Sequence, residues 1–284
     1  MRFHNQTAEL FIPDSMDESG ALARITHLGI GAHQDDLEFM AFHGILACYR
    51  SNSEWFGGIT CTDGALSARS GPYAHFDGQQ MRAIRHREQN LASQIGNYGV
   101  MIQLDYTSSA VKDPNDVALS NDLIEVLRAT KPSVVYTHNL ADKHGTHIGV
   151  AVAAIQAMRT LPPDQRPGIV YGCEVWRDLD WMPDDEKVLQ DVSFHENLAA
   201  ALNGVFDSQI AGGKRYDNGV LGRRRANATF FESHAIDSAD SIAYAMDLTP
   251  LVHDEKIDIT RYVDELIGRF RDDVITKLNQ RLGH

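Results

Sequence analysis

Cysteine is scarce in this chain and scattered where it occurs. Cys48, Cys61 and Cys173 are the only three among 284 residues, an odd number with no C-x-x-C pair. That excludes a disulfide-dense scaffold and a redox dithiol, and it leads to the expectation of a reduced, cytoplasmic protein. Long apolar runs are missing too, so no membrane span is expected. The first twenty residues, MRFHNQTAELFIPDSMDESG, are polar and acidic, without the apolar centre of a secretory leader. Cations are in deficit: 26 Lys and Arg stand against 39 Asp and Glu, a net charge of −13. Nucleic-acid binding leans on clustered cations, so no such partner is expected. Repeats and low-complexity stretches are absent. So is a G-x-G-x-x-G after the first apolar run, where the chain reads Gly29-Ile30-Gly31-Ala32-His33.

What is present is an alternation of apolar runs and amphipathic stretches. A possible edge strand over Ala8 to Ile12 and a loop over Pro13 to Gly20 precede it. The pattern then predicts a strand over Ile25 to Ala32, a helix over Asp36 to Arg50 and a strand over Glu54 to Cys61. A helix over 79 to 96, a short strand from Val100 to Leu104 and a helix from Asn115 to Ala129 follow. Next come a strand from Ser133 to Tyr136 and a helix from near Gly145. Such β-α alternation implies a mainly parallel sheet with helices on both faces, a Rossmann-like doubly wound α/β fold. After Pro162-Pro163 the pattern changes. A strand over Ile169 to Trp176 and a possible strand over Val188 to Val192 are expected, then helical segments over His195 to Ala211 and on to Asn227. Phe230-Phe231 could return as a strand, and an amphipathic helix closes the chain from Ile259 to Leu282. The expectation is a single domain over 1–284, with a core over about 24–160 and an extension over 165–284. A small separate cap is the alternative.

Two strand ends carry the chemistry. The first predicted strand ends on His33, Asp35 and Asp36. The strand before position 137 is followed by His138, Asp142, His144 and His147. Ligands of a doubly wound sheet sit beyond the carboxyl ends of its strands, so the two segments could form one site. A catalytic zinc takes three protein ligands and keeps one position open. His33, Asp36 and His147 suit that rule. Asp35 is then free to serve as general base, and His144 to stabilise an oxyanion or protonate a leaving group. Asp142 is placed to orient the His144 ring. Each string has a plainer reading: the Asp pair as a helix cap and first-turn charge, His138 as a turn residue, His43 and His86 as packed helix histidines. His27 is expected at the start of its strand, and His4, His253 and His284 in solvent. Arg85 and Glu88, one turn apart, could be a surface ion pair. Arg223, Arg224 and Arg225 read as a solvated helix face or as a phosphate or carboxylate site. Trp176, Trp181 and Tyr216 could stack on a sugar ring or fill a core.

The combination of AHQDD after a strand with Asp142-Lys143-His144-Gly145-Thr146-His147 resembles the LmbE-like (PIG-L) family of zinc-dependent de-N-acetylases, whose pattern is H-x-D-D and later D-x-H-x-x-H. Arg85 to Glu88 matches the family's Arg-x-x-Glu, Ser208-Gln209 its Ser-Gln, and Glu232 its late glutamate. The resemblance runs from about residue 24 to 235. It implies one zinc ion per chain on His33, Asp36 and His147, with Asp35 as base and His144 stabilising charge. It also implies that Arg85 contacts a substrate hydroxyl or phosphate. The activity implied is removal of an acetyl group from an N-acetylglucosamine unit, a small-molecule amino-sugar substrate; homo-oligomers are possible. Two departures stand out: Gln34 where the family has Pro, and Gly145-Thr146 where it has Pro-Asp. The other functions open on the residues are an amidase acting on another N-acyl group, a non-catalytic sugar- or nucleotide-binding protein, and a metal-dependent phosphoesterase, for which the carboxylates are too few.

Overall fold

The apolar runs between the charged turns become the strands of one eight-stranded sheet. The structure, a computed structural model, describes residues 1–283. In chain order the strands are β1 (Glu9–Phe11), β2 (His27–Gly31), β3 (Phe56–Thr62), β4 (Val100–Tyr106), β5 (Val134–His138), β6 (Ile169–Cys173), β7 (Lys187–Asp191) and β8 (Ile242–Asp247). Their order across the sheet is β1-β4-β3-β2-β5-β6-β8-β7. The five central strands are parallel. β1 is added antiparallel at one edge, and β8 runs antiparallel between β6 and β7 at the other. This is the α/β, Rossmann-like architecture expected, and residues beyond 165 add three strands to the same sheet.

Parallel strands are covered on both faces, so their residues are apolar without alternation. Every residue of β3 and β4 is buried. One apolar layer joins Leu28, Ile30 and Ile102 to Leu123, Val150 and Ala154 of the helices Ala118–Thr130 and Gly145–Arg159. The other joins Phe56, Met101 and Tyr136 to Leu37, Ile45 and Leu198. The chain runs outward from the middle, β2 to β3 to β4, then returns to lay β5 and β6 on the other side of β2. The order therefore reverses between β2 and β5, where neighbouring connections diverge and leave a crevice.

The structure departs from the sequence expectations at several points. The helix expected over Asp36 to Arg50 is two helices, Asp36–Met40 and Phe42–Cys48. The break is filled from far along the chain: Arg224 Nη2 donates to the carbonyls of Glu38 and Phe39 at 2.9 and 3.0 Å. Those oxygens would otherwise accept bonds from the next helical turn. Short helices Glu18–Ala23 and Ser108–Lys112 replace expected loop. Phe230 ends a helix, Tyr216–Phe230, and the returning strand is instead β8. The last helix has its expected bounds, Ile259–Leu282. His4 and His253 are exposed as expected, and His284 lies outside the described residues.

Edge strand β1 is held by an ionic cluster around the buried Asp105. His86 Nε2 lies 2.6 Å from Asp105 Oδ1, its Nδ1 lies 3.6 Å from Glu9 Oε2, and Arg82 also reaches Asp105. Burial alone would lower the pKa of His86. The hydrogen bonds to Asp105 and Glu9 outweigh it and raise it to about 9. A pKa higher in the folded than in the unfolded state means stability that is complete below about pH 6.5 and lost as pH rises towards 9. The melting temperature should therefore fall between pH 6.5 and 9. In His86→Gln that part of the slope should vanish, as followed by circular dichroism.

Candidate metal and catalytic site

The turn after β2 and the loop after β5 meet at this crevice. Asp36 is at the first turn of its helix, directly after the strand end. Its Oδ2 accepts from the His33 backbone N–H at 2.7 Å and lies 3.2 Å from His33 Nδ1. His147, in the first turn of the helix Gly145–Arg159, brings Nε2 to 3.5 Å from the same oxygen and 3.2 Å from His33 Nδ1. Three donor atoms thus stand 3.2 to 3.5 Å apart. Tetrahedral ligands bound at 2.0–2.1 Å are separated by about 3.3 Å. The donor chemistry agrees: a single proton can join one pair of these atoms, whereas a divalent cation satisfies all three. The cluster fits a metal site.

Charge in the cluster is balanced by proximity. Burial would raise the pKa of Asp36, but His147 and His138 hold it well below the usual carboxylate range. His138 is not the turn residue expected; it is the fully buried last residue of β5. Its ring stacks on His147 at 3.9 Å, and its Nε2 accepts from the Ala32 N–H at 2.9 Å while lying 3.4 Å from Asp36 Oδ2. Burial, then His147, pushes its pKa down to about 4, so it is neutral at neutral pH. The sequence signal for it was its place one step past a buried apolar run. Asp142 does not orient His144 through its ring, as expected. Its Oδ1 accepts from the His144 backbone and its Oδ2 from the Trp176 backbone, and Oδ2 stands 3.5 Å from His147 Nδ1. The ring that stands beside it is that of His147. His144 stacks on His33 at 4.9 Å and faces the cavity, and burial followed by His33 lowers its pKa to about 4.

Asp35 is set apart from this cluster by its backbone. Its φ of 97° is in the left-handed region, which costs a non-glycine residue about 1–3 kcal/mol. A clamp from the helix Gly78–Ile95 holds it there. Gln89 Oε1 accepts from the Asp35 N–H at 3.1 Å. Arg85 Nη1 donates to Asp35 Oδ2 at 3.1 Å, and its Nη2 donates to the carbonyl of Gln34. Gln89 is fixed in turn by Glu38, whose Oε1 accepts from Gln89 Nε2 at 2.9 Å and from the Tyr98 hydroxyl at 2.7 Å. At about 1 kcal/mol for a neutral bond and 1.5–3 for one to a charge, the clamp is of the size needed to hold the strain. Burial lifts the pKa of Asp35 to about 6 against the pull of Arg85.

Arg85 and Glu88 are therefore not a surface ion pair. Both are buried, and Glu88 accepts from the Ser208 N–H and hydroxyl at 2.7 and 2.6 Å. Arg85 borders the cavity but is 2% exposed, with its guanidinium on Asp35. Gln34 turns inward, donating to Thr62 O at 3.0 Å. Gly64, with φ of 68°, is required beside it, because a Cβ there would lie 2.5 Å from Gln34 Oε1. Thr146 is buried away from the open site, and Glu232 is exposed.

The site opens into a cavity of about 560 Å³. Asp35, Asp36, His33 and His144 form its floor, and Trp176, Tyr216 and Phe39 are among its walls. Trp181 packs against the main core instead. The three arginines divide. Arg223 lines the cavity and donates to Val175 O, Arg224 is buried over the Phe42 ring, and Arg225 is exposed near Glu196. The solvated-face reading holds for Arg225 alone.

Residues 28–158 match the sequence family described as PIG-L: GlcNAc-PI de-N-acetylase. The matched stretch is a little under half of the chain. It contains every cluster residue named above, from His33 to His147, and ends before Ser208-Gln209 and Glu232. The chain is 27% identical over 190 residues to the uncharacterized deacetylase YaiS of Escherichia coli, spanning 66% of this chain and 94% of that one. Two solved structures share the fold. The 4-carboxy-2-hydroxymuconate hydratase of Pseudomonas putida has a TM-score of 0.59 at 16% identity, covering 79% of this chain and 96% of its own. The N,N'-diacetylchitobiose deacetylase of Pyrococcus horikoshii has a TM-score of 0.57 at 14% identity, covering 82% and 88%. The fold therefore carries more than one reaction, and the side chains must decide between them.

If this cluster holds one divalent ion, calorimetry should find a single site per chain, and His147→Ala should abolish it. Asp142→Asn should weaken binding roughly ten- to a hundredfold, as loss of a ring-orienting carboxylate does.

Proposed function

We propose that this chain is a zinc-dependent hydrolase that removes the acetyl group from an N-acetylglucosamine-type sugar or sugar conjugate and releases acetate. One juxtaposition carries the reading: His33, Asp36 and His147 converge within 3.5 Å of one another, while a separate, strained carboxylate, Asp35, opens on the same cavity. The PIG-L match and the deacetylase relatives support the class of bond and sugar. A purely sugar-binding protein leaves the strain at Asp35 without a role. Among the described residues no helix is long and apolar enough to cross a membrane. The three buried, unpaired cysteines support a cytoplasmic setting.

Two imidazoles and a carboxylate suit zinc, which when bound would polarise the acetyl carbonyl and acidify a water. Asp35 does the proton work. Arg85 engages its Oδ2, which leaves Oδ1 to take a proton from the attacking water. The water oxygen joins the acetyl carbon. As the C–N bond breaks, the same carboxyl returns its proton to the nitrogen, giving an amine and acetic acid; the acid's remaining proton passes to the amine, so ammonium and acetate leave. His144, neutral at the cavity wall, donates a hydrogen bond to the carbonyl oxygen as charge builds there. Trp176 and Tyr216 offer apolar faces for a sugar ring.

Asp35→Asn should reduce acetate release from N-acetylated sugars by roughly 10²–10⁴-fold while metal content stays near one per chain. Loss of the metal in that variant would place Asp35 among the ligands instead. Gln89→Leu should lower kcat by roughly ten- to a hundredfold with metal content and KM little changed, because it frees the backbone that aims Asp35.

A further inference from the structure

The chain is acidic overall, yet the mouth of its cavity is not. Lys112, Lys214, Arg215 and Arg223 line it in addition to Arg85, against Asp35, Asp36 and Asp63. Each carboxylate already has a use. Asp35 is engaged by Arg85, Asp36 faces the imidazoles, and Asp63 Oδ1 accepts from the Ala65 N–H at 3.0 Å. Among the cations, Arg215 is forked onto Asp217 at 2.7 and 2.9 Å. Arg223 gives one nitrogen to Val175 O. The two lysines have no carboxylate partner among the described residues; the lysines that do pair are Lys187 with Asp184 and Lys277 with Asp273.

Their placement converges on one wall. Lys214 Nζ lies 5.3 Å from the centroid of the Trp176 ring, and that ring lies 6.4 Å from His144. Lys112 approaches from the other connection: a methyl on Gly145, the residue after His144, would stand 3.6 Å from Lys112 Cδ. That is ordinary van der Waals distance, so the Lys112 stem lies alongside the turn that carries His144. An exposed cation over an aromatic face is worth only about 0.5–1 kcal/mol, so Lys214 is readily recruited by a stronger partner. In a concave site with apolar walls, unpaired cations of one sign focus their field on an anion.

We infer that Lys112, Lys214 and Arg223 form a subsite for an anionic substituent, phosphate or carboxylate, on the sugar bound beside His144. The inference rests on the proposed deacetylase reading for the sugar but not for the anion. Neutral N-acetylglucosamine is then a poor ligand and an acidic derivative the better one.

The test is calorimetric binding to the metal-loaded, full-length Asp35→Asn protein, which separates binding from turnover. The ligands are N-acetylglucosamine, N-acetylglucosamine 1-phosphate and N-acetylmuramic acid, with inorganic phosphate as a fourth arm. At least one acidic sugar should bind roughly tenfold or more tightly than the neutral one, and the advantage should shrink as salt rises. Whichever acidic sugar binds better names the anion as phosphate or carboxylate. Lys112→Gln/Lys214→Gln should remove most of that advantage; a circular dichroism melt of the pair checks that it is folded. Equal binding of all three sugars overturns the inference. So does an advantage that survives in the folded lysine pair or is matched by inorganic phosphate alone, since the metal would then be the anion's partner. If acidic sugars bind through the lysines but wild-type protein releases no acetate, the deacetylase reading fails and the subsite stands.

Discussion

One carboxylate oxygen ties the site together. Oδ2 of Asp36 has the His33 amide, the His33 ring, His138 and His147 all within 3.5 Å. These groups come from two connections more than a hundred residues apart. A buried anion in that position is tolerable only with positive charge or donors around it. The His33 amide supplies a donor and the His33 and His147 rings stand within reach, and a divalent ion would supply more. The same demand explains why the turn after β2 is so short: Asp36 must lie at the strand end to meet β5.

The two adjacent aspartates are given opposite tasks by their surroundings. Asp36 is drawn down by imidazoles, while burial lifts Asp35 to about 6 even with Arg85 beside it. The left-handed backbone at Asp35 is what separates them, sending one carboxylate to the cluster and the other to the cavity floor. Helix Gly78–Ile95 is therefore more than a cover for the sheet, because Arg85 and Gln89 hold that turn in place. Glu38, buried and lifted to about 8 by desolvation, stands behind Gln89 as a neutral acid.

The architecture itself is permissive. A hydratase and a deacetylase share it with this chain at 16% and 14% identity. A crevice at the reversal of strand order is available to any chemistry that places suitable side chains there. What individualises this chain is its set of departures. Gln34 folds inward under the β3 turn, Lys112 lies beside Gly145, and cations gather at the mouth of an acidic protein.

Pattern and spacing were enough to read the alternation of strands and helices. They also placed His33, Asp35, Asp36, His144 and His147 at strand ends, since both are local properties: period, apolar run, turn. Non-local matters were not legible. The helix break at Ala41 is met by Arg224, nearly two hundred residues away, and β8 pairs with both β6 and β7, strands remote from it in sequence. His138 looked like a turn residue because nothing in its own segment shows Asp36 waiting across the sheet. Arg85 and Asp142 lie beside other neighbours than their spacing suggested: Asp35 for the one, the His144 and Trp176 backbones and the His147 ring for the other. A side chain's partner is set by which surfaces packing brings together, and one-dimensional spacing does not contain that distance.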